Sequence, residues 1–562
     1  MLTRRSFPIV AGLLPAVLVS LAAGQTVPAP IFSTFPDQTN RVIPGSGGQT
    51  FLNALGGIDK VRVSSNGQWF VLKGTRTFLL VPEPVTGPTQ DATRDEIILA
   101  GRVVNNIVTS ALILGERDGF PAGTTGLLPG EANGLNASDA IGVNNNGVIA
   151  ASLFSPTGAA FPNVPTTANR IVVRGQVNPS GAGVSSFGVY AREGSPAAGL
   201  PGYNYGTDMF VDGVADSGDV LFRTQGMLNG KRALMLGSSV LVETFDGTRT
   251  APFVDAALTI PDTIYSNLSP FTPLGSTPIP SVTPSGSSWA MVGQLNNSLA
   301  VMVKDQVTQF KQLDLMPETI DNVTVGQIGF FRLASNGQYI TRYSDNGLNN
   351  FVRSASGVRT RSNLPCVTCY PAAWRPRIVN GVTSSTFGNV ALNAAGRWVV
   401  SGLTDSTDEL NNFVLIADGR SIILREGDAM DLNGDGIAND DAVLLGLVND
   451  SVQLNDDNTL WFLADVRRPL LSAAAGSNVD GRVLYRMVMP PPACGLADIA
   501  GANQSIGADG TLTADDIIVF LGNFFAPNLC ADVAGPNQST EPDGVLSADD
   551  IIVFLGRYFG GC

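Results

Sequence analysis

Two stretches near the C-terminus place carboxylates, a glycine and a carbonyl at the spacing of an oxygen-lined metal loop. They are Asp509-Gly510-Thr511-Leu512 with Asp516, and Asp543-Gly544-Val545-Leu546 with Asp550. In an EF-type loop an Asp at the fifth position precedes a turn glycine and the seventh residue offers its carbonyl. The eighth is apolar, and a carboxylate at the twelfth closes the shell. Calcium, a hard cation that takes about six to eight oxygens, suits such a set. The first halves of the loops depart from this frame. Strict counting puts Ser505 and Gly507, or Ser539 and Glu541, where two acidic or amide ligands are usual. A longer loop, in which Asp498 and Asp532 swing in with Asn503 and Asn537 as further candidates, would complete the shell. The alternative is a pair of acidic helix caps that bind no ion.

A third acidic loop stands apart at 431–441. Asp431, Asn433 and Asp435 occupy positions 1, 3 and 5, Gly436 follows, and Ile437 offers its carbonyl. Position 12 is Ala442, so Asp440 or Asp441 must close the shell. A structural calcium pinning this loop is expected, against an Asx-rich turn without metal.

The closing carboxylates belong to helix starts. Thr513 and Ser547 read as N-caps with Asp516 and Asp550 three residues on. Ile517, Ile518, Phe520, Leu521, Phe524 and Phe525 can bury one helix face. The whole unit occurs twice between 494 and 562 at an offset of 34, with Asp498 mapping onto Asp532 and Asp509 onto Asp543.

The duplication, the Asp-Gly step, the helix and the ending Gly561-Cys562 resemble the dockerin modules. The match is to the Gly-Cys-ending kind that closes secreted proteins of planctomycete-type bacteria. The resemblance covers about 70 residues. It implies a small all-α domain of paired loop-helix units, calcium-dependent folding, and docking to a cohesin-like receptor or cell-surface scaffold.

The chain has 562 residues, 44% hydrophobic and 15% charged, with a net charge of −14. That is a globular composition, and its sign argues against nucleic acid or an anionic membrane as partner. There is no histidine. Ser-His-Asp triads, Cys-His dyads and histidine metal sites are thereby excluded. Thr3-Arg4-Arg5-Ser6-Phe7, an apolar core from Ile9 to Val19 and Ala22-Ala23-Gly24 read as an export signal over 1–24, by the Sec or twin-arginine route. No later stretch reaches transmembrane length. Of the five cysteines, Cys494 and Cys562 bracket the tail and are expected to pair. Cys366 and Cys369 are read as a local disulfide, and Cys530 is left over.

Between the signal and a Pro-rich linker at 490–493, residues 25–489 are a diverged tandem repeat. A small-polar turn, usually ending in Gly, runs into an apolar strand. Ser65-Asn66-Gly67 precedes Trp69, Asn145-Asn146-Gly147 precedes Val148, and Asp216-Ser217-Gly218 precedes Val220. The pattern returns at Ser285-Gly286, Ser335-Asn336-Gly337, Ala395-Gly396 and Asp457-Asn458, seven copies spaced 51 to 80 residues apart. Hairpins such as Val414 to Leu424 and Leu234 to Val242 fill each unit. The fold class this predicts is mainly β, a seven-bladed β-propeller followed by the small α-helical tail. A β-solenoid or a pair of sandwiches is the alternative. Val81 to Gln90 and Thr259 to Ser281 read as insertions. The repeats resemble the tandem Asn-x-x-Gly strand motifs of secreted planctomycete-type proteins, with Ser, Asp or Ala often replacing the leading Asn.

Glu193 and Glu426 are conceivable glycosidase carboxylates. They recur, however, in equivalent Arg-acid-Gly turns, Arg192-Glu193-Gly194 and Arg425-Glu426-Gly427, and a catalytic pair needs unique positions converging on one site. The expectation is therefore an exported, non-enzymatic protein whose propeller presents a glycan- or protein-binding face. The rival is a carbohydrate-active hydrolase carried by the same tail.

Overall fold

In the strand Trp69–Thr75 every residue is buried, because alternate side chains face different neighbours. Trp69 and Val71 pack with Ile149, Ala151 and Val173. Phe70 and Leu72 pack on the other side with Trp461, Leu463 and Leu484, from near the far end of the chain. A strand covered on both faces reads as an apolar run rather than an alternation.

The computed structural model describes residues 27–560 except 54, 78–95, 117–118, 132–133, 135–139, 156, 158–162, 226–232, 244–264, 268–280, 296–297, 305–309, 316–317, 321–322, 326, 345–349, 355–356, 362–377, 380–381, 384–386, 405–412, 420, 470–479, 491–496, 502–503, 507–510, 527–530, 532, 535–537 and 539–544. The signal segment, the stretch from Val81 to Gln90 and all five cysteines therefore lie outside the described residues.

Among the described residues, seven antiparallel sheets of four or more strands follow one another. The first is Ile58–Val63, Trp69–Thr75, Glu96–Val104 and Ile107–Gly115. The second begins at Ile141–Val143, the third at Asp208–Val214, the fifth at Gln327–Leu333 and the sixth at Phe387–Leu392. The fourth starts with Tyr265–Asn267 and Ser281–Val282, both paired with Trp289–Leu295. The expected insertion from Thr259 to Ser281 is thus corrected in part, since Tyr265–Asn267 is a strand of the sheet itself. The seventh holds Val443–Leu447, Gln453–Leu454, Thr459–Arg467 and Asp480–Val488.

Neighbouring sheets share apolar clusters. The second meets the third through Val172, Phe222 and Met235. The fifth meets the sixth through Val352 and Val400, and the sixth meets the seventh through Leu415, Leu444 and Phe462. With the seventh packed on the first, the series closes into a ring, the mark of a mainly β propeller. The last sheet takes its outer strand from the other end of the chain. Ala29–Ser33 pairs antiparallel with Asp480–Val488, Ala29 opposite Arg486 and Ser33 opposite Val483. Pro30 hides this strand in the sequence, and it is tolerated because it lies at a sheet edge, where a missing N–H breaks no ladder.

The repeated turn explains itself by what it does between sheets. Asn144 Oδ1 accepts from Asn146 N (3.0 Å) and Val148 N (2.8 Å), closing the turn, while its Nδ2 donates to Ala215 O of the next sheet at 2.6 Å. Asn393 repeats this, accepting from Arg397 N and donating to Asn455 O. Gly147 has φ +77°, and a Cβ there would lie 2.9 Å from the Trp69 ring of the first sheet. Asn458 takes the glycine position of the seventh copy with φ 60°, a conformation Asn tolerates.

The tail has two helices, α1 (Ala514–Phe525) and α2 (Ala548–Gly560). Thr513 forms the expected capping box with Asp516. Phe520 and its 34-residue counterpart Phe554 stack at 3.9 Å between ring centroids with 8° between planes, at the centre of the tail's apolar cluster. The expected buried face needs one correction. Ile518 and Phe525 point outward, 48% and 76% exposed, as do Ile552 and Phe559 at 49% and 78%. They lie one residue beyond the buried stripe on each helix, where the 3.6-residue turn carries them into solvent. Among the described residues, no helix is long and apolar enough to cross a membrane.

Candidate functional site

The first strands of the sheets line a central cavity of about 180 Å³. One side-chain position repeats around it: Arg62, Gly142, Gly213, Ser281, Arg332, Ala391 and Gln453. Four of these are Gly, Ala or Ser, which leaves room for the two arginines to reach inward. Both meet Asp450, Arg62 on Oδ2 and Arg332 on Oδ1.

Asp450 is held in place before any cation arrives. Its backbone takes φ 61°, in the left-handed region that is uncommon for a residue other than glycine. Ser451 Oγ donates to Val448 O at 2.6 Å, and Asn389 of the sixth sheet bonds both Val448 O and Ser451 N. Arg62 Nη1 also donates to Asp450 O at 3.0 Å. Burial alone would raise the Asp450 carboxyl, but the Arg62 and Arg332 guanidiniums overturn this and hold it far below the usual range.

Two further groups share the cavity's charge. Asp212, the bulged residue of its strand, is gripped by Arg223 Nε at 2.8 Å and Nη2 at 2.9 Å. Burial nevertheless leaves its carboxyl raised. Lys60 stands two residues before Arg62, hence on the same side of the strand. Burial, aided by Arg62, pushes its ammonium down to about 8.

A belt of turns rims the cavity. Asn145 Oδ1 accepts from Ser65 Oγ and Asn66 N, and Asp216 accepts from Asn145 N and Nδ2. Asp456 accepts from Ala394 N and Ser335 Oγ. The glutamates weighed as catalytic lie elsewhere. Glu193 follows the outer strand of the second sheet and caps Arg170 N, and Glu426 follows the outer strand of the sixth.

The 431–441 loop is wound by its own side chains. Asp431 Oδ1 and Oδ2 accept from Gly434 N and Gly436 N, Asn433 Oδ1 from Asp435 N, and Asp435 Oδ1 from Ile437 N. Asp440 closes across, accepting from Leu432 N at 2.7 Å and from Asn433 Nδ2 at 3.0 Å. Asp441 has φ 53°. The Tyr485 hydroxyl anchors the loop by donating to Asp431 O at 2.9 Å. This all-oxygen donor set fits a hard cation. The Asn433 amide now bridges Asp435 and Asp440.

In the tail, Asp516 Oδ1 accepts from Ile499 N and Ala500 N, both at 2.8 Å, and Oδ2 from Thr513 N at 2.8 Å. Asp550 repeats the pattern with Val533 N, Ala534 N and Ser547 N. The backbone beside buried Asp498 is thereby drawn against the closing carboxylate. A two-stranded hairpin, Ala500–Gly501 with Ser505–Ile506, fills the stretched first half of the loop. Thr511 is exposed, as is Val545. Asp509, Asp532 and Asp543 lie outside the described residues. Among the described residues, no three Asp, Glu or Cys side chains converge in metal-ligating geometry.

Ring, inward-facing first strands and shared channel define the class: a β-propeller with a charged central cavity. No protein-family model matches the chain, and no curated protein matches it. It is similar in fold to the Dos1 propeller, at 10% identity over 79% of this chain and 95% of that one, with a TM-score of 0.33. A Lactobacillus plantarum protein matches at 12% identity over 73% and 97%, with a TM-score of 0.30. Trypanosoma rangeli sialidase in complex with sialic acid matches at 10% over 83% and 59%, with a TM-score of 0.32.

Proposed function

We propose that this is an exported, non-enzymatic binding protein. In this reading a seven-bladed propeller presents a glycan- or protein-binding face, and a calcium-set, dockerin-like tail attaches it to a cohesin-like receptor or cell-surface scaffold. The observation that carries the docking half is the outward pair on each helix. Ile518 and Phe525, and their counterparts Ile552 and Phe559, keep about half to three-quarters of their surface in water. Large apolar side chains exposed twice in the same pattern are a surface built for a partner rather than for the chain's own core. Seven sheets in series support the blade count. Calcium is supported by the oxygen donors of the 431–441 loop and by the bond from the Ile499 N–H, next to Asp498 in the chain, to Asp516. Its role would be to fix these loops, with Asp431, Asn433, Asp435 and the Ile437 carbonyl as ligands in the one, and Asp498, Asp509, Thr511 and Asp516 in the first tail loop. Asp532, Asp543, Val545 and Asp550 would serve the second.

The hydrolase reading draws on one observation. Asp212, pushed up, and Asp450, held down, share the channel, as an acid and a base would. Each is already committed to guanidinium partners, and a carboxylate as acidic as Asp450 is a poor base. Binding is therefore the better reading. Calcium titration of the full chain tests it: helix gain and bound ions at or below about millimolar calcium are expected. A chain that takes up no calcium at that level sinks the calcium-set tail.

A further inference from the structure

We infer that the cleft between the second and third sheets is a saccharide site, in which Arg174, Gln176, Ser186 and Thr125 bond the hydroxyls of a sugar. The inference rests on the reading of the propeller as a binding module, narrows its ligand to a glycan, and is independent of the tail.

Strand pairing puts these side chains on one face. In the strands Arg170–Val177 and Val184–Arg192, Arg174 lies opposite Gly188 and Gln176 opposite Ser186, and residues directly opposite in an antiparallel pair project to the same side of the sheet. Gly188 offers no side chain, and Thr125 takes its place, since a Cβ on Gly188 would run into Thr125 Oγ1. Two backbone bonds fix Thr125 along the strand, from its own N to Phe187 O at 3.1 Å and from Val189 N to its O at 2.9 Å. Tyr190 and the Ser217-Gly218 turn of the third sheet complete the walls.

The polar groups are held in position yet keep bonding capacity. The Arg174 guanidinium stacks over the Tyr190 ring at 4.9 Å and donates from Nη1 to Gly218 O at 3.0 Å, while its other N–H donors meet no protein acceptor among the described residues. Tyr190 packs edge-on against Phe222 of the third sheet, 6.3 Å between centroids, so the stack is anchored. Gln176 Nε2 donates to Asn146 O and Val177 O, which orients its Oε1 acceptor. The hydroxyls of Ser186 and Thr125, both on exposed residues, make no hydrogen bond among the described residues. Among the described residues Arg174 is the only charged side chain that lines the cleft. One guanidinium beside an amide and hydroxyls both gives and accepts hydrogen bonds, which suits a hydroxyl-rich guest rather than a multiply charged one, and Pro121, Val189 and Tyr190 offer apolar surface to its C–H groups. The volume of about 530 Å³ falls in the range of small-molecule pockets, roughly 300–1,000 Å³, so the cleft takes a short saccharide or a chain end rather than a protein surface.

The test is an array of immobilised neutral and uronic-acid oligosaccharides, probed with the labelled full chain alongside Arg174→Ala and Ser186→Tyr. The first variant removes the guanidinium, and the second fills the cleft from an exposed position. Capture of at least one oligosaccharide, weakened about tenfold or more in both variants, is the expected result. Capture of a neutral sugar marks the amide and hydroxyls as its readers and capture of a uronic acid marks Arg174, either upholding the site. No capture, or capture undiminished in either variant, overturns it. Undiminished capture would still leave the propeller a glycan-binding module with its site elsewhere, so the cleft and the binding reading fail separately. Should R174A not fold, S186Y decides alone by the same criterion. Failure of the tail to take up calcium would leave every one of these outcomes readable.

Discussion

Arg62 and Arg332 stand at the same place in two copies of the repeat, each three residues before a Ser-Asn-Gly turn, and converge on the two oxygens of Asp450. Three sheets, the first, fifth and seventh, are thus tied across the channel by one carboxylate.

Removing that carboxylate takes the shared ion-pair partner from two part-buried guanidiniums. Asp450→Ala should cost about 3–5 kcal/mol, read as a lowered urea midpoint with the slope unchanged. Because the folded carboxyl is held below its unfolded value near 3.9, its contribution is present above that pH. It should fade as pH falls through and below about 4. An acid titration in which D450A and wild type lose stability in parallel would contradict this.

Lys60 predicts a rise of the same sign at the alkaline end. Its folded value is lowered to about 8, against an unfolded value near 10.4. Between these the unfolded chain binds more protons, so stability should rise as pH climbs from about 8 to about 10. In K60M the rise should vanish, and thermal melts across that window make the comparison.

Asn144 should matter more than an ordinary turn residue. Asn144→Ala removes two turn bonds and the bond to Ala215 O, leaving buried polar groups unmatched at about 1–3 kcal/mol. Chemical denaturation of N144A measures this. A change within experimental scatter would mean that the inter-sheet bond carries no net stability.

The paired phenyl rings of the tail should couple. Phe520→Ala and Phe554→Ala should each cost about 3–5 kcal/mol of tail stability. The double variant should lose less than their sum by about 0.5–1.5 kcal/mol. Helix ellipticity during melting of the full-length variants reports the tail.

Tyr485→Phe severs the anchor to Asp431 O and should cost about 0.5–1.5 kcal/mol. If the 431–441 loop takes calcium, the same change should weaken uptake by that loop, seen as the loss of one calorimetric step.

Much of the ring was legible because its signals are local. Turn composition and doubly buried apolar runs such as Trp69–Thr75 mark the sheets, and Thr513 with Asp516 marks a helix start. The closing strand Ala29–Ser33 was not legible, since its partner lies at the opposite end of the chain and Pro30 interrupts its pattern. The channel cluster was missed for a related reason. Arg62, Asp212, Arg332 and Asp450 are brought together only by ring closure, although the shared Arg-x-x-Ser-Asn-Gly of the first and fifth sheets was a readable hint. Exposure of Ile518 and Phe525 could not be read from amphipathicity, because a helix with apolar residues on more than one side does not say which side is covered.

The strand that completes the seventh sheet carries a consequence for how the chain is made. Ala29 faces Arg486, so the strand Ala29–Ser33 must wait, unpaired, until the last sheet of the ring has been synthesised. Such a clasp makes closure the most non-local and so the slowest contact to form. It also means that the ring cannot open at its seam without parting two ends of the chain at once.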